Sequence, residues 1–147
     1  MRDKTTLHYK KHQSLMKKNT EKKQLSKPYQ STIQFEKFLI DNIIFKKNIK
    51  KILDIGCGIG ANIKHFSKKF PDINFTGWDY SKSQISTAKK INKNPRVTFN
   101  LQDIYKIKKK KYDYDLVFSV HTFCVFKSIE SPIKNLAKMS PKWIAIN

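Results

Sequence analysis

The stretch ILDIGCGIGANI, residues 52–63, decides the fold, because it holds three of the four glycines in this chain of 147 residues. The apolar residues before Gly56 are typical of a short strand, and those after Gly60 can form a helix. A strand that turns into a helix through glycines brings bare backbone and a helix amino terminus next to a ligand, since no Cβ stands in the way. The stretch therefore predicts a ligand-binding loop.

Around this loop, short apolar strands alternate with helical segments, which predicts βαβ units and a parallel sheet with helices on both faces. The predicted strands are 51–55, 73–79, 96–101, 113–120 and 142–147. The predicted helices are 32–46, 61–70, 81–91 and 131–139. Ser31 with Gln34 predicts a capping box for the first helix, Ser81 an N-cap for the third, and Pro132 the first position of the fourth.

The length suits one domain with a single core. Residues 1–28 are basic and lack apolar periodicity, so they predict a flexible arm before a domain at residues 29–147. The arm lacks the apolar centre of a secretory signal, and no apolar run in the chain approaches the ~18 residues of a membrane-spanning helix. The sequence therefore predicts a cytoplasmic protein with no membrane partner.

The formal net charge of +20 makes nucleic acid a possible partner. All but two of the 31 basic residues are lysines, however, and arginine is the residue that suits bidentate contacts to phosphates and bases. A solvated basic surface is favoured over a polyanion-binding role, and the lysine run at residues 106–112 is most simply a solvated connection. The two cysteines, Cys57 and Cys124, predict neither a disulfide nor a metal site.

The spacing of the glycines leaves two classes of ligand open. The dinucleotide fingerprint would place its third glycine at Ala61, although alanine is sometimes allowed there. The loop that binds S-adenosylmethionine is shorter and follows an acidic residue, which here is Asp54. A carboxylate at the mouth of the sheet suits a ligand with an ammonium group and is unfavourable beside a pyrophosphate, so S-adenosylmethionine is favoured over a nicotinamide dinucleotide.

The sequence resembles the class I S-adenosylmethionine-dependent methyltransferases over most of residues 50–147. Four motifs in order carry the resemblance: ILDIGCGIGANI, FTGWDYS, LQDIY and YDLVFSVHTF. It implies a Rossmann-like α/β fold, strand order 3-2-1-4-5, and S-adenosylmethionine as cofactor. Domains of this family continue past the fifth strand with a helix and an antiparallel hairpin. We therefore expect an incomplete domain whose exposed fifth strand is open to self-association.

The resemblance also implies site residues. The cofactor-binding positions implied in the glycine loop are Asp54, Gly56, Cys57, Gly58 and Gly60. The glycines would line the methionine part of the cofactor, and the aspartate would lie near its amino group. Asp79 would accept hydrogen bonds from both ribose hydroxyls, and Tyr80 would lie beside the adenine. Asp103 would accept from the adenine amino group, with Ile104 near the ring. The alternative role for both aspartates is a helix or turn cap.

His121 follows the fourth strand, where a general base would have to stand if the acceptor must lose a proton. The alternative is a histidine that only lines the cleft or bonds a backbone carbonyl. Residues 119–123 carry no proline-rich, aromatic tetrapeptide, which disfavours the nucleic-acid enzymes that methylate amino groups. No proline precedes Cys124, which disfavours an enzyme that methylates a cytosine carbon through a cysteine nucleophile.

The overall pattern is similar to small methyltransferases of bacterial polysaccharide and secondary-metabolite gene clusters. It implies a small-molecule acceptor such as a sugar or metabolite hydroxyl. An RNA-directed methyltransferase that uses the basic surface and an inactive cofactor-binding fragment remain alternatives.

Overall fold

The computed structural model describes residues 28–108 and 112–147. The strands are β1 Lys51–Ile55, β2 Asn74–Asp79, β3 Val97–Leu101, β4 Leu116–Ser119 and β5 Trp143–Ile146. The helices are α1 Gln30–Leu39, α2 Ala61–Lys69, α3 Lys82–Ile91 and α4 Glu130–Ala137. A π-helical segment lies at Ile40–Ile44, and 3₁₀ turns lie at Ile104–Lys106 and Phe123–Val125. The arm predicted at residues 1–28 lies outside the described residues apart from Pro28, as do residues 109–111 of the lysine run.

The strands are parallel and lie in the order β3-β2-β1-β4-β5, which confirms the predicted order. Ile52, Leu53 and Ile55 of the central strand β1 are all buried, because both faces of the sheet are covered. The strand order reverses between β1 and β4. In parallel sheets of this kind, the crevice at such a switch point, outside the carboxyl ends of the strands, is where ligands bind.

Two apolar clusters hold the layers together. On one face Phe35 of α1, Phe66 of α2 and Ala88 of α3 pack against the sheet. On the other face Leu136 of α4 packs with Leu53 of β1. Burying each large apolar side chain in this way contributes about 1.5 to 3 kcal/mol to the free energy of unfolding. Helices therefore lie on both faces, as the alternating pattern predicts.

The capping box predicted at the first helix is wrong. The N-cap residue of α1 is Tyr29, which makes no side-chain cap bond, and Ser31 lies inside the first turn. The Ser31 hydroxyl is instead 2.8 Å from Nε2 of His121, 90 residues along the chain. The Ser31 hydroxyl, which the local pattern assigned to capping the helix, thus makes a tertiary contact with His121.

The other two predicted helix starts had different outcomes. The N-cap at Ser81 is confirmed, since its hydroxyl accepts a hydrogen bond from the N–H of Gln84 at 3.5 Å. Pro132 is the third residue of α4 and not the first, because the helix begins at Glu130. It still lies in the first turn, where its missing N–H would have no intrahelical acceptor.

The fourth strand is shorter than predicted at its start. Asp115 precedes β4, and its carboxylate accepts hydrogen bonds from the N–H groups of Lys50 and Lys51 at 2.9 and 3.0 Å. This side chain therefore joins the beginnings of β1 and β4 at the amino-terminal edge of the sheet.

Strand β5 presents apolar side chains at one edge of the sheet. Trp143, Ile144 and Ile146 are each about two fifths exposed, and within the described residues β5 pairs only with β4. The expected exposed fifth strand is present. None of the helices in the described ranges has the length and apolar character needed to cross a bilayer.

Candidate functional site

An open cleft lies at the carboxyl ends of the central strands, with about 640 Å³ of empty space that includes solvent-open volume. The residues that line it are Ile55, Gly56, Trp78, Asp79, Tyr80, Gln102, Asp103, Ile104, Tyr105, Thr122 and Phe126. The cleft thus combines aromatic and aliphatic walls with two carboxylates.

The glycine loop is held mainly by the protein's own packing. Gly56 and Gly60 have φ angles of 73° and 76°, the left-handed region that favours glycine. A Cβ on Gly56 would collide with the Thr122 side chain, and one on Gly60 would lie 2.6 Å from the Phe99 ring. At Gly58 the nearest heavy atom would be 3.9 Å away. Of the three glycines, Gly58 is therefore the one at which an added Cβ would meet no close neighbour.

Asp79 ties this loop to the start of α3. Its Oδ2 accepts from the N–H of Gly58 at 2.9 Å, and its Oδ1 accepts from the N–H of Ser81 at 2.8 Å. Burial raises the pKa of this carboxyl, and the backbone hydrogen bonds partly oppose that rise. A carboxylate oxygen can accept more than one hydrogen bond. Asp79 can therefore order the loop and still offer acceptor sites to the cleft that it lines.

Asp54 lies buried near Asp79 and does not line the cleft. Neither of its carboxylate oxygens has a hydrogen-bond partner among the described residues. Burial, with the negative charge of Asp79, raises the pKa of Asp54 well above its usual value. A buried carboxylate without a partner is unfavourable, so this group calls for a proton or for a cationic donor from a ligand.

At the far end of the cleft Asp103 has two possible roles. Its Oδ1 accepts from the N–H of Tyr105 at 2.9 Å, so it caps the 3₁₀ turn that follows β3. It also lines the cleft next to the nearly buried Ile104. Tyr80 lines the same space, and burial with the nearby charges of Asp79 and Asp103 raises the pKa of its hydroxyl. Asp103 therefore both caps the turn and lines the cleft.

His121 lies beside the cleft and does not line it, although the next residue, Thr122, does. Its backbone φ is 58°, its Nε2 is 2.8 Å from Ser31 Oγ, and its ring packs edge-on against Tyr29 at 6.0 Å. The exposed His121 side chain therefore joins the loop after β4 to the start of α1.

The structure does not place Cys57 on the cleft. Its side chain is buried in the core cluster beneath α2, and burial raises the pKa of its thiol. Among the other loop positions named from the sequence, Gly58 and Gly60 also do not line the cleft, whereas Gly56 does. The part of the loop that faces the cleft is thus smaller than the sequence suggested.

Six lining residues were not anticipated from the sequence: Trp78, Gln102, Tyr105, Thr122, Phe126 and Ile55, which stands between the predicted Asp54 and Gly56. The first four stand in or beside the motifs FTGWDYS, LQDIY and YDLVFSVHTF, so adjacency to the named aspartates or to His121 was the available signal. Phe126 enters from the irregular segment after the 3₁₀ turn at Phe123–Val125, and no pattern in the sequence indicates it.

Comparison with known proteins gives consistent matches. Residues 52–140 match a family described as a methyltransferase domain. The malonyl-[acyl-carrier protein] O-methyltransferase of Priestia megaterium is 39% identical over 87 residues, which is 59% of this chain and 31% of that protein. The enzyme of the same name from Bacillus cereus is 31% identical over 86 residues, 58% of this chain and 32% of that protein. The chain thus spans about a third of the length of these relatives.

A similar solved structure is that of the plantazolicin methyltransferase BpumL in complex with a triazolic desmethylPZN analog and SAH. It has a TM-score of 0.71 and 27% sequence identity, and the match covers 97% of this chain and 57% of that one. The family match includes the glycine loop, Asp79 and Asp103, and covers more than half of the chain. The chain therefore belongs to the class I S-adenosylmethionine-dependent methyltransferases.

Proposed function

We propose that the domain at residues 29–147 binds S-adenosylmethionine in the cleft and transfers its methyl group to a small acceptor. The observation that carries the proposal is the pair of carboxylates in one cleft, Asp79 beside the glycine loop and Asp103 beside Ile104. Asp79 offers acceptor sites suited to the ribose hydroxyls. Asp103 offers an acceptor suited to the adenine amino group, with apolar walls for the ring.

The residues also fit the amino-acid end of this cofactor. Asp54 is buried with both oxygens unpartnered, and the backbone at Gly58 is open. An ammonium group near the loop would supply the positive charge that this carboxylate lacks within the described chain. We assign Asp54 to that end of the cofactor, through the loop that covers it.

When bound, the cofactor supplies an activated methyl group on a sulfonium, and the chain's residues align the acceptor with it. A hydroxyl acceptor must also lose a proton. We assign this step to His121; its Nε2 lies 2.8 Å from the Ser31 hydroxyl at the start of α1, so a turn of the side chain toward the cleft is part of the proposal. Its position next to Thr122 supports the assignment, because Thr122 lines the cleft. An acceptor that is already ionised, such as a carboxylate, would need no such base.

The relatives bear on the acceptor only in part. One group is named for malonyl-[acyl-carrier protein], and the BpumL structure contains a desmethylPZN analog. These names differ, so they support a small acceptor group, free or carried on a larger molecule, without selecting one. We propose oxygen as the methylated atom, in a sugar or metabolite hydroxyl or in an acyl carboxylate.

The cofactor assignment is tested by calorimetric titration of the 147-residue chain with S-adenosylhomocysteine. In Asp79→Asn we expect at least about tenfold weaker binding, since one charge-assisted hydrogen bond contributes roughly 1.5 to 3 kcal/mol. The exposed Asp72→Asn is the matched control and should bind like the wild type. A folded wild-type chain that does not bind, or an Asp79→Asn variant of unchanged affinity, would contradict the proposal.

A further inference from the structure

The start of α1 contacts both the loop after β4 and the residue after β5. The Ser31 hydroxyl lies 2.8 Å from Nε2 of His121, and the Tyr29 ring packs edge-on against the same imidazole. Asn147 joins both sides of this contact. Its Nδ2 donates to the Ser31 carbonyl at 3.3 Å, and its own carbonyl accepts from the His121 N–H at 3.2 Å. We call the contact of His121 with Tyr29 and Ser31 the clasp.

The backbone of His121 depends on the contacts around it. Its φ of 58° lies in the left-handed region, which is uncommon for residues other than glycine. Such a conformation persists where the surrounding structure holds it, and the clasp and the bond to Asn147 are contacts of that kind. Loss of one of these contacts can therefore redirect the His121 side chain.

The next residue connects this backbone to the cleft. Thr122 lines the cleft, and its hydroxyl donates to the Gly56 carbonyl at 3.2 Å. Its side chain stands so close to Gly56 that a Cβ there would collide with it, so Thr122 has no room to retreat toward the glycine loop. A molecule that presses on Thr122 from the cleft therefore displaces the loop after β4, including His121.

The clasp keeps His121 from the step assigned to it. Its Nε2 is engaged by Ser31, and its side chain does not line the cleft. A base must come within hydrogen-bond reach of the proton that it removes, so His121 cannot act while the clasp is closed. A serine hydroxyl can donate to a neutral imidazole or accept from a protonated one, so protonation of His121 does not by itself open the clasp. The trigger is better sought in the cleft.

We propose that the clasp is an autoinhibitory contact, which withholds His121 from the cleft until a cofactor bound there opens it through Thr122. The inference rests on the proposed binding of S-adenosylmethionine and on the role assigned to His121. A bound molecule shifts such an equilibrium only if it binds the open state more tightly than the closed one. By linkage, a change that opens the clasp beforehand must then strengthen binding in the cleft.

Calorimetric titration of the 147-residue chain with S-adenosylhomocysteine measures this linkage. Ser31→Ala removes the hydroxyl from the clasp. We expect this variant to bind about two- to tenfold more tightly than the wild type, because binding no longer has to break one hydrogen bond of the closed state. Ser31→Thr keeps a hydroxyl at this position and is the matched control, with an affinity near that of the wild type. A serine with only a structural role would give unchanged or weaker binding when it is removed.

The effect of Ser31 must also depend on His121. In the background of His121→Asn, a residue that tolerates a left-handed φ, we expect Ser31→Ala to leave the affinity nearly unchanged. NMR spectra of the histidine rings give a second measurement. On addition of S-adenosylhomocysteine to the wild type, the His121 ring signals should move toward their positions in Ser31→Ala. The signals of His65, which contacts Glu36, should stay in place.

Equal or weaker binding by Ser31→Ala would overturn the inference, while the cofactor assignment stands. The same effect of Ser31→Ala with and without His121 would also overturn it, since the serine would then act on another group. His121 signals that do not move when the ligand binds would count against it in the same way. A folded wild-type chain that does not bind S-adenosylhomocysteine would remove both proposals.

Discussion

Asp54 shows how a single buried carboxyl can link stability to cofactor binding. Its folded-state pKa is raised well above the ordinary value, by burial first and by the charge of Asp79 second. Below about pH 4 the carboxyl is protonated in both the folded and the unfolded chain. As the pH rises, the unfolded chain releases the proton first, so the folded state loses stability until the pH passes the folded-state pKa.

We expect Asp54→Asn to remove this pH-dependent loss. As the pH rises above the ordinary aspartate range, the free energy of unfolding of the cofactor-free wild type should fall relative to that of the variant. The same variant should bind S-adenosylhomocysteine more weakly, because the charge opposite the ammonium is gone. Urea unfolding across this pH range, with exposed Asp72→Asn as control, measures the effect. Parallel stability profiles for wild type and Asp54→Asn would contradict it.

The sequence predicts that the three aspartates lie at one edge of the sheet, because each stands at or just past the end of a strand. Asp54 is in β1, Asp79 ends β2, and Asp103 follows β3, and the alternation of strands and helices brings these ends to one edge. Phe126 could not be predicted, since its position depends on the path of irregular chain after β4. The close packing of Gly56 against Thr122 and of Gly60 against Phe99 could not be predicted either, because these partners are distant in sequence.

At the scale of elements, α1 is fixed to α2 by a buried carboxylate. Glu36 is 3% exposed, and its oxygens lie 2.8 Å from Nε2 of His65 and 2.7 Å from Nζ of Lys69. Burial raises the pKa of Glu36, but the hydrogen bonds and charges of these partners outweigh it, so the net shift is downward. A lowered folded-state pKa contributes stability that is present above the ordinary value of 4.5 and is lost as the pH falls through the folded-state pKa.

We expect Glu36→Gln to lower the free energy of unfolding at pH 7 by about 1 to 3 kcal/mol, because one of the two partners then faces an amide N–H donor in place of an acceptor and both lose the carboxylate charge. Lys69 is half exposed, so water screens part of its contribution. The difference from wild type should shrink as the pH falls below about 4, where the wild-type carboxyl takes up a proton. Glu130→Gln, in the exposed pair with Lys134, is the control and should change stability by less than about 0.5 kcal/mol. A Glu36→Gln effect no larger than that of the control would contradict the role of this contact.

Local sequence pattern predicts the existence of α1 and not its details. The apolar spacing of Phe35, Leu39 and Ile43 indicates a helix, and all three side chains are buried. The same spacing gives no sign that the chain changes to a π-helix at Ile40–Ile44. The predicted cap failed because the Ser31 hydroxyl meets His121, a contact that only the assembled sheet creates.

For the whole molecule, strand order and the two helical layers follow from the alternating pattern and the family resemblance. The distribution of charge over the surface cannot be predicted in this way, because it depends on which lysines form ion pairs with carboxylates after folding. The two edges of the described sheet differ in this respect. Near β5, Lys142 pairs with Asp115, and Lys134 of α4 pairs with Glu130. Near β3, the exposed Lys90, Lys93 and Arg96 have no ion-pair partner among the described residues.

This difference predicts that the chain self-associates through β5 and not through β3. The β5 edge is apolar, with one cation against it, Lys47, whose Nζ is 5.3 Å from the centre of the Trp143 ring, and exposed apolar strands pair with one another unless charge prevents it. We expect Ile144→Lys with Ile146→Lys to shift sedimentation-velocity profiles of the concentrated protein toward the monomer, because the pairing strands would then repel. Leu101→Lys, on the exposed surface of β3, is the matched control and should leave the profile unchanged. A wild-type chain that stays monomeric at every concentration, or an equal effect of Leu101→Lys, would show that the β5 edge is not an interface between copies.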